Sequence, residues 1–460
     1  MLALASLIFF STCGGACGLE PLIGAIGAGR GLLLILIAPL LWSLPVALMV
    51  AELAGLLPEE GGYYIWIRET LGKFWGVQAG CWAMTFAVGQ MAIFPVLFVS
   101  YLSYFFPALG VAADGAHPVL GALLRWLVAL GMIAAALVVN LRSARDVGQT
   151  AKVSAALVLG AFAVMILVWL KRAADPAVAI RVVRNDFAVA HNGALLLVLS
   201  ILAFNYSGWD SASTYAGEVH EPQRNYPRAI AIALTVLVCC YVLPVFAGVG
   251  ATTDATAWSD TAGWPVIAQV IGGKWLGGLL AGAGLLSTWG LFNAQLLYAS
   301  RLPYVMATDG WLPRVLARVS PRTGVPKVAT VTFCVVTGLF ALIPFGGLAV
   351  IQCLLYAAAV MLELLALVLL RMRQPEAKRS FRVPGGWAGL TYVCAGPMVC
   401  GMLVLYAVGR DWAPFRMHLA AVATVVLAGV GVYVVGKRVA AEGQKSVAQQ
   451  KATVEAKHGG

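Results

Sequence analysis

Apolar runs longer than 18 residues recur from one end of the chain to the other, separated by short polar stretches. About 20 apolar residues span the hydrocarbon core of a bilayer as a helix. The pattern predicts twelve crossings, at roughly 1–28, 32–57, 74–107, 119–141, 147–171, 194–216, 229–252, 276–303, 328–345, 347–371, 388–408 and 415–437. Two of them are interrupted. In the first, Thr12-Cys13-Gly14-Gly15-Ala16-Cys17-Gly18-Leu19-Glu20 sets three glycines and a carboxylate inside the apolar run. In the sixth, Phe204-Asn205-Tyr206-Ser207-Gly208-Trp209-Asp210-Ser211 breaks the run in a similar way, with a glycine and a carboxylate. Glycine costs about 1 kcal/mol against alanine inside a helix, and unpaired backbone groups in hydrocarbon cost several kcal/mol each. Such runs are tolerable where a helix breaks and its free groups face a ligand or a cavity. The alternative is close helix packing through small residues.

Each interruption heads a group of five crossings. That arrangement is expected of an inverted repeat whose two broken helices meet near the bilayer centre. The expected architecture is an all-α membrane protein of twelve transmembrane helices in a 5+5 inverted repeat. Helices 1 and 6 are discontinuous, and two helices are added at the end. The units are 1–171 (first repeat), 194–371 (second repeat), 388–437 (the last two crossings) and 438–460 (a polar, loosely ordered cytoplasmic tail).

Composition agrees with a membrane protein: 61% of the 460 residues are hydrophobic and 11% charged, and the mean hydropathy is +0.87. The net charge of +11 does not indicate nucleic acid. Most Lys and Arg fall in alternate short loops and the tail, which places both termini in the cytoplasm. The loop from Lys171 to Arg184 is the exception, with four positive charges on the outer side. The nine cysteines mostly lie in apolar segments and read as buried small hydrophobes. The five histidines lie in loops, at segment ends or in the tail, so no metal site or cofactor is expected. No basic residue precedes Arg30, as a signal peptide would require. A short cytoplasmic tail before Met1, or a misassigned start, is expected.

The candidate chemistry gathers at the breaks. Half-helix N-termini attract anions, so the amides of Cys13, Gly14, Gly15, Ala16, Cys17 and Gly18 suit a substrate carboxylate. Carbonyls freed around Ala203 to Tyr206 suit an ammonium. Asp210 inside the second break costs roughly 2.5–3.5 kcal/mol on insertion scales. It requires a cation, a proton or water, or else it caps nearby N–H groups. Glu20, one residue before Pro21, poses the same question. Phe204, Tyr206, Trp209, Trp289 and Tyr356 are candidate walls or gates. Asn293 and Gln295 are expected to face protein, and Asn293 is taken with Phe204, Tyr206, Trp209, Trp289 and Asp210 as a candidate substrate-binding residue. Glu52 and Glu363 lie toward the predicted cytoplasmic ends and read as structural. Lys152, opening the fifth crossing, is either a snorkelling anchor or a charge turned inward for coupling. Gly24-Ala25-Ile26-Gly27-Ala28-Gly29 follows no strand and is not a phosphate loop. No enzyme constellation is present.

Four stretches carry a resemblance over nearly all twelve crossings. They are Gly14-Gly15 with Gly18-Leu19-Glu20; Ala51-Glu52-Leu53 through Pro58, Gly61-Gly62-Tyr63-Tyr64 and Trp66; Gly208-Trp209-Asp210-Ser211-Ala212-Ser213 with Ala216-Gly217-Glu218-Val219, Glu221-Pro222-Gln223-Arg224-Asn225 and Pro227-Arg228-Ala229-Ile230; and Ser300-Arg301 through Ala307, Asp309-Gly310 and Leu312-Pro313. Together they resemble the amino acid–polyamine–organocation superfamily, and the third is the most specific. The resemblance implies the LeuT-type fold and secondary transport without ATP. The first stretch and Phe94-Pro95-Val96-Leu97-Phe98 look most like the polyamine-uptake branch, in which Asp210 occupies the place of a carboxylate. Lys152 looks like the fifth-helix lysine of sodium-independent amino-acid members, where the ammonium stands near a sodium position. The polyamine branch usually lacks it.

The function expected from this reading is an amino acid permease of the cytoplasmic membrane, working by alternating access, proton-coupled and sodium-independent. Lys152 and Glu20 are the coupling residues. Polyamine uptake is the runner-up, and a transporter-like nutrient sensor is the reading of another class. The expected partners are a small-molecule substrate, a proton and membrane lipid, with no nucleic acid.

Overall fold

The structure, a computed structural model, describes residues 2–13, 15–111, 117–172, 176–188, 195–211, 213, 222–259, 263–343, 345–377, 379, 381–410 and 419–438. The regular elements among them are all helical. The first half holds α1 (Leu2–Thr12), α2 (Glu20–Ile26), α3 (Ala28–Ala38), α4 (Leu44–Leu56), α5 (Tyr63–Leu71), α6 (Lys73–Leu102), α7 (Pro118–Arg142), α8 (Ala144–Arg172) and α9 (Pro176–Asp186). Then come α10 (Leu195–Tyr206), α11 (Pro222–Ala251), α12 (Ala255–Ser259), α13 (Trp264–Gly272), α14 (Lys274–Ala299), α15 (Arg301–Thr308), α16 (Lys327–Phe340), α17 (Phe345–Arg373) and α18 (Gly386–Arg410). A last helix, α19, runs Leu419–Arg438. Nine helices among the described residues are long and apolar enough to cross a membrane, and α10 and α16 are shorter apolar helices.

Local sequence explains the breaks in these helices. α1 stops at Thr12, whose hydroxyl bonds back to the Ile8 carbonyl (3.0 Å). The chain then unwinds through 13–19, with Gly15 at φ +117° and Gly18 at φ +91°. That half of Ramachandran space suits glycine and strains other residues. Glu20 and Pro21 restart the helix, with proline in the first turn, where its missing N–H is harmless. In the second crossing, Pro39 opens a π-helical turn, Pro39–Ser43, between α3 and α4. Proline and π-turns are the usual causes of such irregularity. This turn presents Trp42 to Tyr356 on α17, ring centroids 5.8 Å apart.

One contiguous apolar core runs through the bundle. α17 packs along α6, α14 packs on α6 and α8, and α1 lies between α8, α11 and α14. The third crossing is the single helix α6, preceded by the separate short helix α5. The basic loop after α8 forms α9, which packs on α3 and α11. Asp186 at its end accepts from the amides of Gly29 (3.0 Å) and Arg30 (3.4 Å), capping α3. A methyl group on Gly27 would lie 2.5 Å from that carboxylate carbon, so the close approach needs glycine.

Two of the motif stretches clasp each other beside α5. Asp309 accepts from Tyr64 Oη (2.6 Å) and pairs with Arg68. Arg301 pairs with Glu60 (3.6 Å). Glu52 on α4 is fully buried and pairs with Arg371 of α17 and Arg379 (3.2 Å), and it also accepts from the Val383 amide (2.7 Å). A buried carboxylate so partnered ties α4 to α17, and removing one partner of such a pair costs several kcal/mol.

Candidate functional site

The first break is lined by its own backbone and closed by α13. Glu20, completely buried, folds back over the break: Oε2 accepts from the Gly18 amide (2.7 Å). Oε1 accepts from Tyr101 Oη (3.3 Å) and from the Trp264 amide (3.3 Å). The Trp264 indole donates to the Ala16 carbonyl (2.8 Å). Its ring meets Phe162 of α8 and Trp258 of α12 edge-on. Gly15 lies against α8, where an added Cβ would come 2.9 Å from Val158. Cys13 Sγ accepts from the Gly15 amide (3.3 Å). Gly14 lies outside the described residues.

The second break begins where α10 ends. Asn205 Nδ2 donates to the Gly18 carbonyl (3.4 Å), and Phe204 lies beside Gly18, so the two breaks face each other. Carbonyls expected to be free here are already engaged by side chains. Asn205 O accepts from Tyr241 Oη (2.7 Å), and Ala203 O accepts from the Ser207 hydroxyl. The charged ammonium acceptor at this break is the Asp210 carboxylate. It is buried and accepts from Tyr356 Oη (2.7 Å) and from the amides of its own turn. No Lys, Arg or His pairs with it among the described residues. The Tyr356 oxygen in turn accepts from the Gly208 amide (2.9 Å), and its ring stacks on Phe86 of α6 at 4.7 Å. Gly208 sits at φ +95°. Asp210 thus has part of the capping role and no side-chain cation.

The remaining expected residues divide. Trp209 is fully buried, with its indole N–H unpaired among the described residues. Tyr206 turns away: its hydroxyl donates to the Ile35 carbonyl (2.7 Å). It lines an apolar cavity of about 110 Å³ between α3, α10, α17 and α18. Asn293 also turns away from the breaks, its Oδ1 accepting from Asn140 of α7 (3.0 Å). Gln295 donates to Gln90 of α6 (2.9 Å). Trp289 is half-buried on α14. Lys152 is half-buried on α8, with no hydrogen bond or ion pair among the described residues. α8 meets the first break at Val158 and Phe162, about 9 and 15 Å farther along its axis by the 1.5 Å rise per residue.

Sequence reasoning missed three groups. Trp264 closes the first break from a helix outside the repeat pattern, and nothing in its local sequence signals that. Gly62 and Tyr63 reach the second break: Gly62, at φ +42°, leaves no room for a Cβ, which would lie 2.1 Å from Ser213 Oγ. Glu363 was expected to be structural, and unlike Glu52 it has no structural partner. It is fully buried, and neither carboxylate oxygen has a hydrogen-bond partner among the described residues.

Paired helix breaks inside a bundle of apolar helices, with buried carboxylates at each, define a polytopic membrane carrier. The chain belongs to the amino acid permease family, whose model matches residues 1–429, and so to the amino acid–polyamine–organocation superfamily. It is 34% identical over 406 residues to "Polyamine transporter PUT1" of Oryza sativa subsp. japonica, covering 88% of this chain and 73% of that protein. It is 32% identical over 404 residues to "Polyamine transporter RMV1" of Arabidopsis thaliana, covering 87% and 78%. It is 31% identical over 326 residues to "Uncharacterized transporter Rv1999c" of Mycobacterium tuberculosis, covering 70% and 69%.

Proposed function

We propose that this permease is a secondary transporter that takes up a polyamine across the cytoplasmic membrane by alternating access. One observation carries the choice of a polyamine over an amino acid: the Gly18 amide already holds the Glu20 carboxylate. That amide stands where a broken-helix carrier would grip the carboxylate of an amino acid. The intramolecular carboxylate also neutralises the positive end of α2. The ammonium side of the site keeps Asp210, which no cationic side chain pairs with among the described residues. A site whose Gly18 amide is filled and whose Asp210 carboxylate meets no cation among the described residues suits a substrate with amines and no carboxylate. The printed names of the two plant relatives support the same substrate class.

The proposal includes the twelve-crossing, 5+5 arrangement with the units 1–171 and 194–371, followed by 388–437 and the tail at 438–460. Nine long helices, the shorter α10 and α16, and the α1–α2 pair supply the crossings it needs. It also includes both termini in the cytoplasm, from the Lys and Arg bias. Proton coupling without sodium, with Lys152 as the carrier, belongs to the proposal as well. Uptake into proteoliposomes of radiolabelled putrescine, spermidine, and neutral and basic amino acids is the test. Saturable polyamine uptake that amino acids do not compete for is expected. Uptake of a neutral amino acid with no polyamine competition would overturn it.

A further inference from the structure

Glu363 lies within α17, two helical turns beyond Tyr356. It is completely buried, and both oxygens lack a hydrogen-bond donor among the described residues. The groups that feel its charge are Asp210, Tyr63 and Tyr356. The elements packed on α17 offer it no cation. α4 brings Glu52, which Arg371 and Arg379 already hold. α5 brings Arg68, which is bound to Asp309. α6 carries no charge after Lys73, α10 carries none, and α18 carries only Arg410 at its far end. A lone carboxyl in such surroundings is costly unless a cation or a proton compensates it.

We propose that Glu363 is the second cation subsite of this permease, receiving the distal ammonium of a linear α,ω-diamine whose near ammonium lies at Asp210. The inference rests on the polyamine reading above and assigns the substrate's geometry within it. Tyr356 joins the two ends: its hydroxyl holds Asp210, and its helix carries Glu363 seven residues on. That spacing is about 10 Å along the axis and returns to the same helix face. A four-carbon diamine spans ~6 Å between nitrogens, and a hydrogen bond of ~2.8 Å at each end brings the reach to about 12 Å. The offset from Tyr356, the residue that holds Asp210, to Glu363 is of the same order as that reach, so the proposal takes a diamine of four or five carbons as the best fit. Tyr356, which holds Asp210, stacks on Phe86, and aromatic faces of this kind suit an apolar stem flanked by cations. Glu363 and Asp210 then each receive one ammonium, and the bound pair is neutral.

The test measures competition by diamines of three to eight carbons, and by butylamine as the one-amine control. Full-length protein in proteoliposomes is used, as wild type, Glu363→Gln, Glu363→Asp and Asp210→Asn. The wild type should show a length optimum near four or five carbons. Glu363→Gln should weaken the best diamine at least tenfold, flatten the length profile and leave butylamine within about threefold. Glu363→Asp pulls the carboxylate back by one methylene and should move the optimum to a longer diamine, which a merely structural residue would not do. Equal losses for diamine and butylamine in Glu363→Gln, or an unmoved optimum in Glu363→Asp, would overturn the assignment. If Asp210→Asn abolishes diamine binding while both Glu363 variants retain the wild-type profile, the polyamine reading stands and this inference falls. If the wild type binds no diamine, both fall.

Discussion

Glu20→Gln is the sharpest perturbation of the first break, because the geometry separates its two oxygens. Oε1 accepts from Tyr101 and Trp264, and Oε2 accepts from the Gly18 amide. A glutamine amide keeps one carbonyl, which remains able to serve Tyr101 and Trp264. Its NH2 group then meets the Gly18 N–H, donor against donor. The variant therefore frees that amide and removes the negative charge from the positive end of α2. Losing the charge-assisted bond lowers stability by about 1.5–3 kcal/mol. The freed amide becomes available to a substrate carboxylate, and the same bond offered to a ligand is about tenfold to over a hundredfold in affinity. Lysine and 1,5-diaminopentane differ by one carboxylate. The assay is competition by each against labelled putrescine in proteoliposomes, with thermal stability measured on the same preparations. The affinity ratio of lysine to diaminopentane should rise at least tenfold in Glu20→Gln, and the melting temperature should fall. An unchanged ratio in a folded, destabilised variant would refute the reasoning, since Glu20 would then be a helix cap remote from substrate.

The remaining predictions test other parts of the site. Asp210→Asn should weaken a dicationic substrate by about tenfold to over a hundredfold, from the loss of a charge-assisted hydrogen bond, and a neutral substrate much less; equal losses in a competition assay would point to turn capping alone. Uptake against external pH at matched surface expression should lose its pH dependence in Lys152→Ala. Lys152→Arg should fail, because arginine does not deprotonate in proteins; full pH-responsive uptake with arginine would make Lys152 an interfacial anchor. Gly62→Ala should destabilise the protein by more than the ~1–2 kcal/mol of a left-handed alanine, because its Cβ also meets Ser213 Oγ at 2.1 Å; a wild-type melting temperature would count against the loop's close approach to the second break.

The helix breaks were legible because backbone chemistry is local. Glycines and a carboxylate inside an apolar run are costly anywhere except at a break, and α1 does stop at Thr12 while α2 starts at Glu20. Side-chain direction was not legible. Tyr206 stands at the edge of the break, yet its hydroxyl reaches the Ile35 carbonyl on α3. A one-residue step along a helix turns a side chain by about 100°, and no pattern in a fully apolar segment fixes that phase. Asn293, a candidate substrate-binding residue, faces protein instead: its Oδ1 accepts from Asn140 of α7. Lys152 illustrates the limit of axial position: it sits on the right helix, but the contact with Gly15 is made by Val158. Glu52 and Glu363 were indistinguishable as sequence. Their partners decide their roles, and Arg371 and Arg379 come to Glu52 from over 300 residues away.

The second and fourth family stretches mostly hold the scaffold. Tyr64 and Arg68 meet Asp309, Glu60 meets Arg301, and Gly62 admits Ser213. These contacts bring α5 and α15 together and set the loop before α5 against the second break. A carrier of any small cation or zwitterion could use the same clasp, so motif strength speaks to fold more than to cargo. The cargo is written in the carboxylates and in what already occupies them. Glu52 is filled by arginines, and Glu20 is filled by backbone amides and a phenol. Asp210 is half-filled by a tyrosine, and Glu363 has no donor among the described residues. The order runs from structural to open; of the last two, Asp210 is held by Tyr356 and Glu363 lies two turns along the same helix. In the polyamine reading proposed above, a substrate complementary to that series brings positive charge at two points and no carboxylate, in keeping with the Gly18 amide being taken by Glu20.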